Sequence, residues 1–342
     1  MALELDLQPS TATANSVGPG SETLVIGVIN NMPDSALEGT ETQFQGLLAA
    51  AAGDRSLRLR YSSLPEVPRG PAARARIAAR YWPLAMLLAD APDALIVTGT
   101  EPKSPSLRDE PYWGRLAEVV EFARTRVLAS AWSCLAAHAA VLHLDGIERR
   151  RLPAKRFGVF SQRVMKAHGL TNGLDSTIAI PHSRCNDIPL AALAAAGYEV
   201  LTQSPAGEAD LFVKPGGRLM VFFQGHPEYE PRTLLKEYQR DVSRYITGEY
   251  RDYPQAPPGY FNAAACAALD QFERRLRSGG FADPISAFPF SELAASLHSG
   301  WAQPAAAIYR NWLDYVAQRK ADASGARNDH HEVCHPTRGA RV

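Results

Sequence analysis

The sequence predicts an α/β fold on a doubly wound, mostly parallel sheet flanked by helices, and three patterns carry that reading. Short apolar, β-branched runs recur at residues 24–29, 94–97 and 127–132. Each is too short for a helix and is bounded by turn-forming residues, so each reads as a strand buried on both faces. Helical stretches separate them, at 41–51, 72–89 and 112–125. Strand–helix alternation of this kind packs helices on both sides of a parallel sheet and puts ligand chemistry at the strands' carboxyl ends.

In chain order, the strand at 24–29 runs into the turn cluster Asn30-Asn31-Met32-Pro33-Asp34, followed by a helix over 41–51. Residues 57–61 alternate as a second strand. Pro83 interrupts the helical stretch 72–89, where its missing N–H forces a kink or a restart. The strand at 94–97 stops at Thr98-Gly99, residues 112–125 form an amphipathic helix, and the strand at 127–132 leads into a helix over 135–144. The second half changes character, with short strands at 157–164, 177–180, 198–203, 211–213 and 219–223. Gly216-Gly217 reads as the hairpin turn joining the last two. A helix over 231–245 precedes a breaker-rich link holding Pro254, Pro257, Pro258 and Gly259, and helices follow at 262–278 and 305–319. Residues 1–22 and 320–342 lack either periodicity and are expected to be disordered. That leaves one domain over 23–319, with a C-terminal helical part from about residue 250.

Lys plus Arg and Asp plus Glu both number 36, so the net charge is zero and gives no reason to expect nucleic acid or an anionic membrane as partner. The run Arg149-Arg150-Arg151, with Lys155 and Arg156, reads as a solvated loop. The four cysteines (Cys134, Cys185, Cys266, Cys334) are widely spaced without a CxxC pair, which fits reduced thiols in a cytoplasmic protein. No signal peptide is read at the start, and no apolar run is long enough to span a bilayer. His330, His331, Cys334 and His335 lack a second ligand cluster at fixed spacing, so no metal is expected.

Chemistry concentrates at two strand exits. In Ser133-Cys134-Leu135-Ala136-Ala137 a cysteine sits where a buried strand turns directly into an Ala-rich helix. Such a turn needs small neighbours, presents the side chain at the sheet's rim, and leaves the Leu135 N–H free to hold an oxyanion. A helix N-terminus also favours a thiolate, the reactive form of a cysteine. The second exit is Gln224-Gly225-His226-Pro227-Glu228-Tyr229, after the strand at 219–223. There His226 can move a proton and Glu228 can orient its ring. His182, in Pro181-His182-Ser183-Arg184, is a rival base without a carboxylate two residues on, and it reads as a substrate contact in a polar loop. Cys185 reads as structural. The motifs GxSxG, GxxxxGK[ST] and HExxH do not occur.

Together these motifs resemble the homoserine O-succinyltransferase (homoserine O-acyltransferase) family, whose fold is similar to class I glutamine amidotransferases. The resemblance runs from about Leu24 to Val316. It is carried by Asn31-Met32-Pro33, Glu41-Thr42-Gln43-Phe44, Val97-Thr98-Gly99, Tyr112-Trp113, the Cys134 turn, Pro181-His182-Ser183-Arg184, Gly225-His226-Pro227-Glu228-Tyr229, Arg240-Asp241-Val242 and Asn311-Trp312-Leu313. It implies an acyl-carrying Cys134, a base at His226 partnered by Glu228, and substrate contacts from Lys155, Ser183 and Arg240, the last on the amino acid's carboxylate. It further implies ping-pong transfer from acyl-CoA to the hydroxyl of homoserine, a step of methionine biosynthesis. No cofactor is implied beyond acyl-CoA as substrate, and the resemblance suggests a homodimer.

The chain departs from the family's pattern at Leu135, at His138 where Gln is usual, in the loop Thr100-Glu101-Pro102-Lys103-Ser104-Pro105, and by extra sequence over 262–300. In the family that loop separates acetyl from succinyl donors. Lys103 at the discriminating position is therefore expected to pair with a succinyl carboxylate. Alternatives left open are acetyl-CoA as donor, serine as acceptor, a glutamine amidohydrolase, and a non-catalytic paralogue. Serine and homoserine differ by one methylene, worth about 1–3 kcal/mol in a pocket.

Overall fold

A computed structural model describes residues 3–7 and 23–332, the side chains of 325–332 excepted. Its first half alternates strand and helix as the apolar runs require. The elements are β1 (Leu3–Leu5), β2 (Leu24–Ile29), α1 (Asp34–Ala51), β3 (Leu57–Ser62), α2 (Pro71–Arg80), α3 (Leu84–Ala89), β4 (Ala94–Thr98), α4 (Trp113–Arg126), β5 (Ala129–Ser133) and α5 (Leu135–Asp145). The second half holds β6 (Arg150–Val164), β7 (Thr177–Asp187), α6 (Leu190–Ala195), β8 (Glu199–Val200), β9 (Thr202–Gln203), β10 (Leu211–Lys214) and β11 (Leu219–Phe223). Helices α7 (Thr233–Ile246), α8 (Ala263–Arg277), α9 (Phe290–Ala295) and α10 (Ala302–Glu332) follow.

The main sheet has eight strands in the order β1-β3-β2-β4-β5-β11-β10-β8. Its pairings are parallel from β1 through β11, and the last two are antiparallel. Strands β4 and β5 are buried along their whole length because helices cover both faces, which is why their sequences are apolar or small throughout. On one face α1 and α10 pack through Phe44, Leu48, Ile308, Trp312 and Leu313. The other face is covered by α4 and α5, through Val119, Val120, Ala136 and Ala140. Pro83 separates α2 from α3, as its missing N–H dictates. The β10–β11 hairpin closes at Gly216-Gly217, with Lys214 paired to Met220.

Several expectations change. Leu3–Leu5, placed in a disordered extension, forms the sheet's edge strand, parallel to β3. Three residues are too few to raise a periodic signal. The C-terminal helix continues through 320–332, also expected to be disordered. Lys320 anchors its later turns on Asp93 and on the Thr23 carbonyl, a polar anchor without apolar periodicity. Residues 8–22, Cys334 and His335, and the side chains of His330 and His331, lie outside the described residues. The basic run 149–156 is no solvated loop: Arg150, Arg151, Lys155 and Arg156 belong to β6, a long ribbon strand antiparallel to β7. Residues 181–184, expected in a loop, lie within β7 for the same reason. A third apolar cluster, built from α7, α8 and α9 with Tyr260 and Trp301, packs on the ribbon through Phe157. Residues 262–300 contribute to it through Ala265, Leu269, Phe272, Phe288 and Leu293. Among the described residues no helix is long and apolar enough to cross a membrane.

Leu313, fully buried between α10 and the sheet, fixes the face opposite α5. Leu313→Ala should cost about 2–5 kcal/mol of unfolding free energy. Urea denaturation checks this, and a loss below about 1 kcal/mol would contradict the packing described.

Candidate active site

Strand register brings the two expected exits together. Ser133, the last residue of β5, pairs with Thr98 of β4 on one side and Phe223 of β11 on the other. Cys134 and the Gln224-Gly225-His226 segment therefore leave the same rim from adjacent parallel strands. The Cys134 N–H donates to the Phe223 carbonyl at 2.8 Å, locking the turn to β11. Cys134 adopts φ 50 and ψ −110, a left-handed conformation that a side chain rarely takes. That strain, worth about 1–3 kcal/mol, lifts the sulfur off the sheet at the start of α5. Gly99 makes room: a Cβ there would lie 2.4 Å from Leu135 Cβ. The Leu135 N–H, in the first turn of α5, has no helical acceptor and adjoins the sulfur.

His226 is buried, and its N–H donates to the Pro181 carbonyl of β7 at 2.8 Å. Gly225 permits that approach, since a Cβ would come within 2.6 Å of Ile180 and 2.8 Å of Asp210 Oδ1. His226 Nδ1 lies 2.9 Å from Glu228 Oε1, which also accepts from Ser133 Oγ at 3.0 Å. Tyr229 stacks on the imidazole at 4.3 Å between ring centroids. Burial alone would discharge His226. Coulombic attraction to Cys134 and Glu228, with the hydrogen bond to Glu228, holds it well above the usual imidazole range instead.

Around this pair, Lys155, Ser183 and Arg240 converge on two carboxylates of α7. Lys155 Nζ lies 3.0 Å from Asp241 Oδ2 and 3.8 Å from Glu237 Oε2. Ser183 Oγ donates to Glu237 Oε2 at 2.6 Å, and Arg240 pairs with Asp241 at 3.1 Å while staying half exposed. Tyr229 Oη donates to the other Glu237 oxygen at 2.7 Å, tying this cluster to the His226 ring. Glu237 escaped sequence reasoning, and Tyr229 and Asp241 stood there only within motifs, with no role assigned. Their visible signal is the four-residue spacing of Glu237 and Asp241, which puts both on one helical face. Lys103 lies in the loop after β4. Its side chain is exposed, and its backbone N–H donates to the buried Glu110 carboxylate at 2.6 Å.

His182 lies within β7 and not in a polar loop, walled in by protein. It is 1% exposed, with Nδ1 accepting from Arg184 Nε at 3.2 Å and Nε2 against Gln162 at 3.1 Å. Burial, then Arg184, His226 and Arg156, push it well below the usual imidazole range, so it is neutral. Cys185 is a half-buried free thiol. Among the described residues no group of three metal-capable side chains occurs.

Behind Cys134, His138 Nε2 meets Gln224 Oε1 at 3.0 Å, and Gln224 donates to Asp187 and to the Ala209 carbonyl. Burial, then Arg184 and Arg149, push His138 down to about 3. An unfolded histidine titrates near 6.5, so below about pH 6.5 the unfolded chain takes up a proton that the fold refuses. His138 thus costs stability progressively as pH falls from 6.5 towards 3, reaching about 2 kcal/mol near pH 5. In His138→Gln that loss should vanish. Urea unfolding of both proteins at pH 7 and pH 5 tests this, and a stability difference that is the same at both pH values would contradict it.

The homoserine O-succinyltransferase family model matches residues 9–322. The chain is 46% identical over 292 residues to a homoserine O-succinyltransferase of Rhodopseudomonas palustris, covering 85% of this chain and 88% of that protein. It is 44% identical to those of Bradyrhizobium japonicum (86% and 90% covered) and Methylorubrum extorquens (90% and 91% covered). Among solved structures it is similar to a glutamine amidotransferase from Thermotoga maritima, with 13% identity, a TM-score of 0.47, and 87% and 99% of the two chains covered. The chain belongs to the homoserine O-succinyltransferase family.

Proposed function

We propose that this protein transfers a succinyl group from succinyl-CoA to the hydroxyl of L-homoserine through a thioester on Cys134, a step of methionine biosynthesis. The observation that carries this reading is that Cys134 and the hydrogen-bonded His226–Glu228 pair leave the same rim of the sheet from adjacent parallel strands. In the first half-reaction the Cys134 sulfur attacks the thioester carbonyl of the donor. The Leu135 N–H holds the oxyanion, and His226 gives its proton to the departing CoA sulfur. In the second, the now neutral His226 takes the proton of the homoserine hydroxyl as its oxygen attacks the Cys134 thioester. Collapse releases the ester and restores the charged sulfur–imidazolium pair, so protons balance over one turnover. Glu228 keeps the imidazole oriented throughout.

The carboxylate of homoserine goes to Arg240, whose half-exposed guanidinium can turn from Asp241 to a second planar partner. Its ammonium meets Glu237 and Asp241, while Ser183 and Lys155 fix the orientation of those carboxylates. The family membership favours acyl transfer over glutamine hydrolysis.

Incubation with succinyl-CoA should add one succinyl group to the intact protein, removable by hydroxylamine and absent in Cys134→Ser. His226→Asn should slow adduct formation by about 10²–10⁴-fold. An adduct that persists in Cys134→Ser, or no adduct in the wild type, would end this reading.

A further inference from the structure

Two hydrogen-bond donors near Cys134 are buried without acceptors. Tyr112 is 3% exposed, and its hydroxyl has no partner among the described residues. Arg149 Nη1 is likewise buried and without partner there. Tyr112 lines a small cleft with Gly99, Thr100, Leu135 and Ala136, on the oxyanion side of the Cys134 turn. Arg149 lies within reach of the charges of Tyr112, Glu110 and Cys134. Glu110, the nearest carboxylate, spends one oxygen on the Lys103 and Ser104 N–H groups and forms no ion pair with Arg149. A guanidinium has no acceptor capacity, so Arg149 cannot satisfy the Tyr112 O–H, and no hydrogen bond from Arg149 to the Tyr112 oxygen forms among the described residues.

Leaving a buried donor unmade costs more than an ordinary hydrogen bond returns, and for a charged donor the cost is larger. Two such buried donors, one of them lining a cleft with Leu135 and Ala136 of the Cys134 turn, describe a receptor for an anionic oxygen pair. We propose that Arg149, assisted by Tyr112, binds the distal carboxylate of the acyl group carried by Cys134 and thereby selects dicarboxylic acyl donors. The assignment rests on the acyl-transfer reading above. It gives the donor-selecting cation to the ribbon, at the residue before β6, and not to the loop lysine. Lys103 is exposed and can be neutralised by solvent, whereas Arg149 is partly withdrawn from water, where a charge-assisted bidentate contact discriminates most strongly.

The test compares succinyl-CoA with butyryl-CoA, a donor of the same chain length without the distal charge, in the wild type, Arg149→Met, Arg149→Lys and Lys103→Ala. kcat/KM for each donor is read together with the intact-mass adduct. Arg149→Met should lower kcat/KM for succinyl-CoA about 10–100-fold, while butyryl-CoA stays within about threefold of the wild type. Arg149→Lys should recover part of the succinyl preference, and Lys103→Ala should leave the ratio unchanged. Equal losses for both donors in Arg149→Met, or a succinyl-to-butyryl ratio that moves only in Lys103→Ala, would overturn the assignment while leaving acyl transfer intact. A wild type that forms no adduct with either donor would instead overturn the acyl-transfer reading and this assignment with it.

Discussion

Cys134 and the imidazole of His226 form one charge-coupled unit, and most of the surrounding architecture serves to hold it. Burial opposes a charged imidazole, so the ring keeps its proton only while two anions sit against it. Glu228 is fixed by Ser133 and by the His226 ring, and the sulfur is fixed by a strained turn. Each constraint traces to sheet register. β5 and β11 end level with each other, and the Cys134 N–H bonds across to Phe223. A slip of one residue in either strand would turn these side chains to the opposite face and separate the pair.

The strain at Cys134 is affordable because its neighbours are small and its helix is locked. Ala136, Ala137, Ala139 and Ala140 lie flat against the sheet and α4, so α5 cannot back away and relax the turn. Below the turn, His138, Gln224, Asp187 and Arg184 form a buried polar chain that spans α5, β11 and β7. Polar groups so placed are tolerated only when they are paired, and their pairing fixes the relation between sheet and ribbon. The ribbon in turn brings Ser183 and Lys155 over α7, where Glu237 and Asp241 gather them.

Much of this was legible in the sequence, and what was not has physical reasons. The buried strands announce themselves because both faces are covered, which leaves uninterrupted apolar runs at 24–29 and 94–97. Cys134 and His226 announce themselves by following such runs directly. The ribbon was half hidden: Arg150, Lys155 and Arg156 are polar strand residues satisfied by carboxylates from other elements, so their sequence reads as loop. His182 misleads for the same reason, since a histidine before Ser-Arg carries no local mark of being walled in by Gln162 and Arg184. Leu3–Leu5 and the last turns of α10 are held by edge pairing and by a single lysine anchor, neither of which leaves a periodic trace. Glu237 and Asp241 show their spacing but not their partners, which come from distant chain segments.

The most direct test is the protonation state of the His226 ring, read by nitrogen NMR on protein carrying ¹⁵N-labelled histidine, across pH in the wild type and in Cys134→Ser. The account predicts an imidazolium that persists well above the ordinary histidine midpoint of about 6.5 in the wild type. It predicts a clear downward move when the sulfur's charge is removed, because burial then loses one of its two opponents. A ring that is already neutral at pH 6, or whose titration ignores the loss of Cys134, would contradict the pairing from which the rest is built.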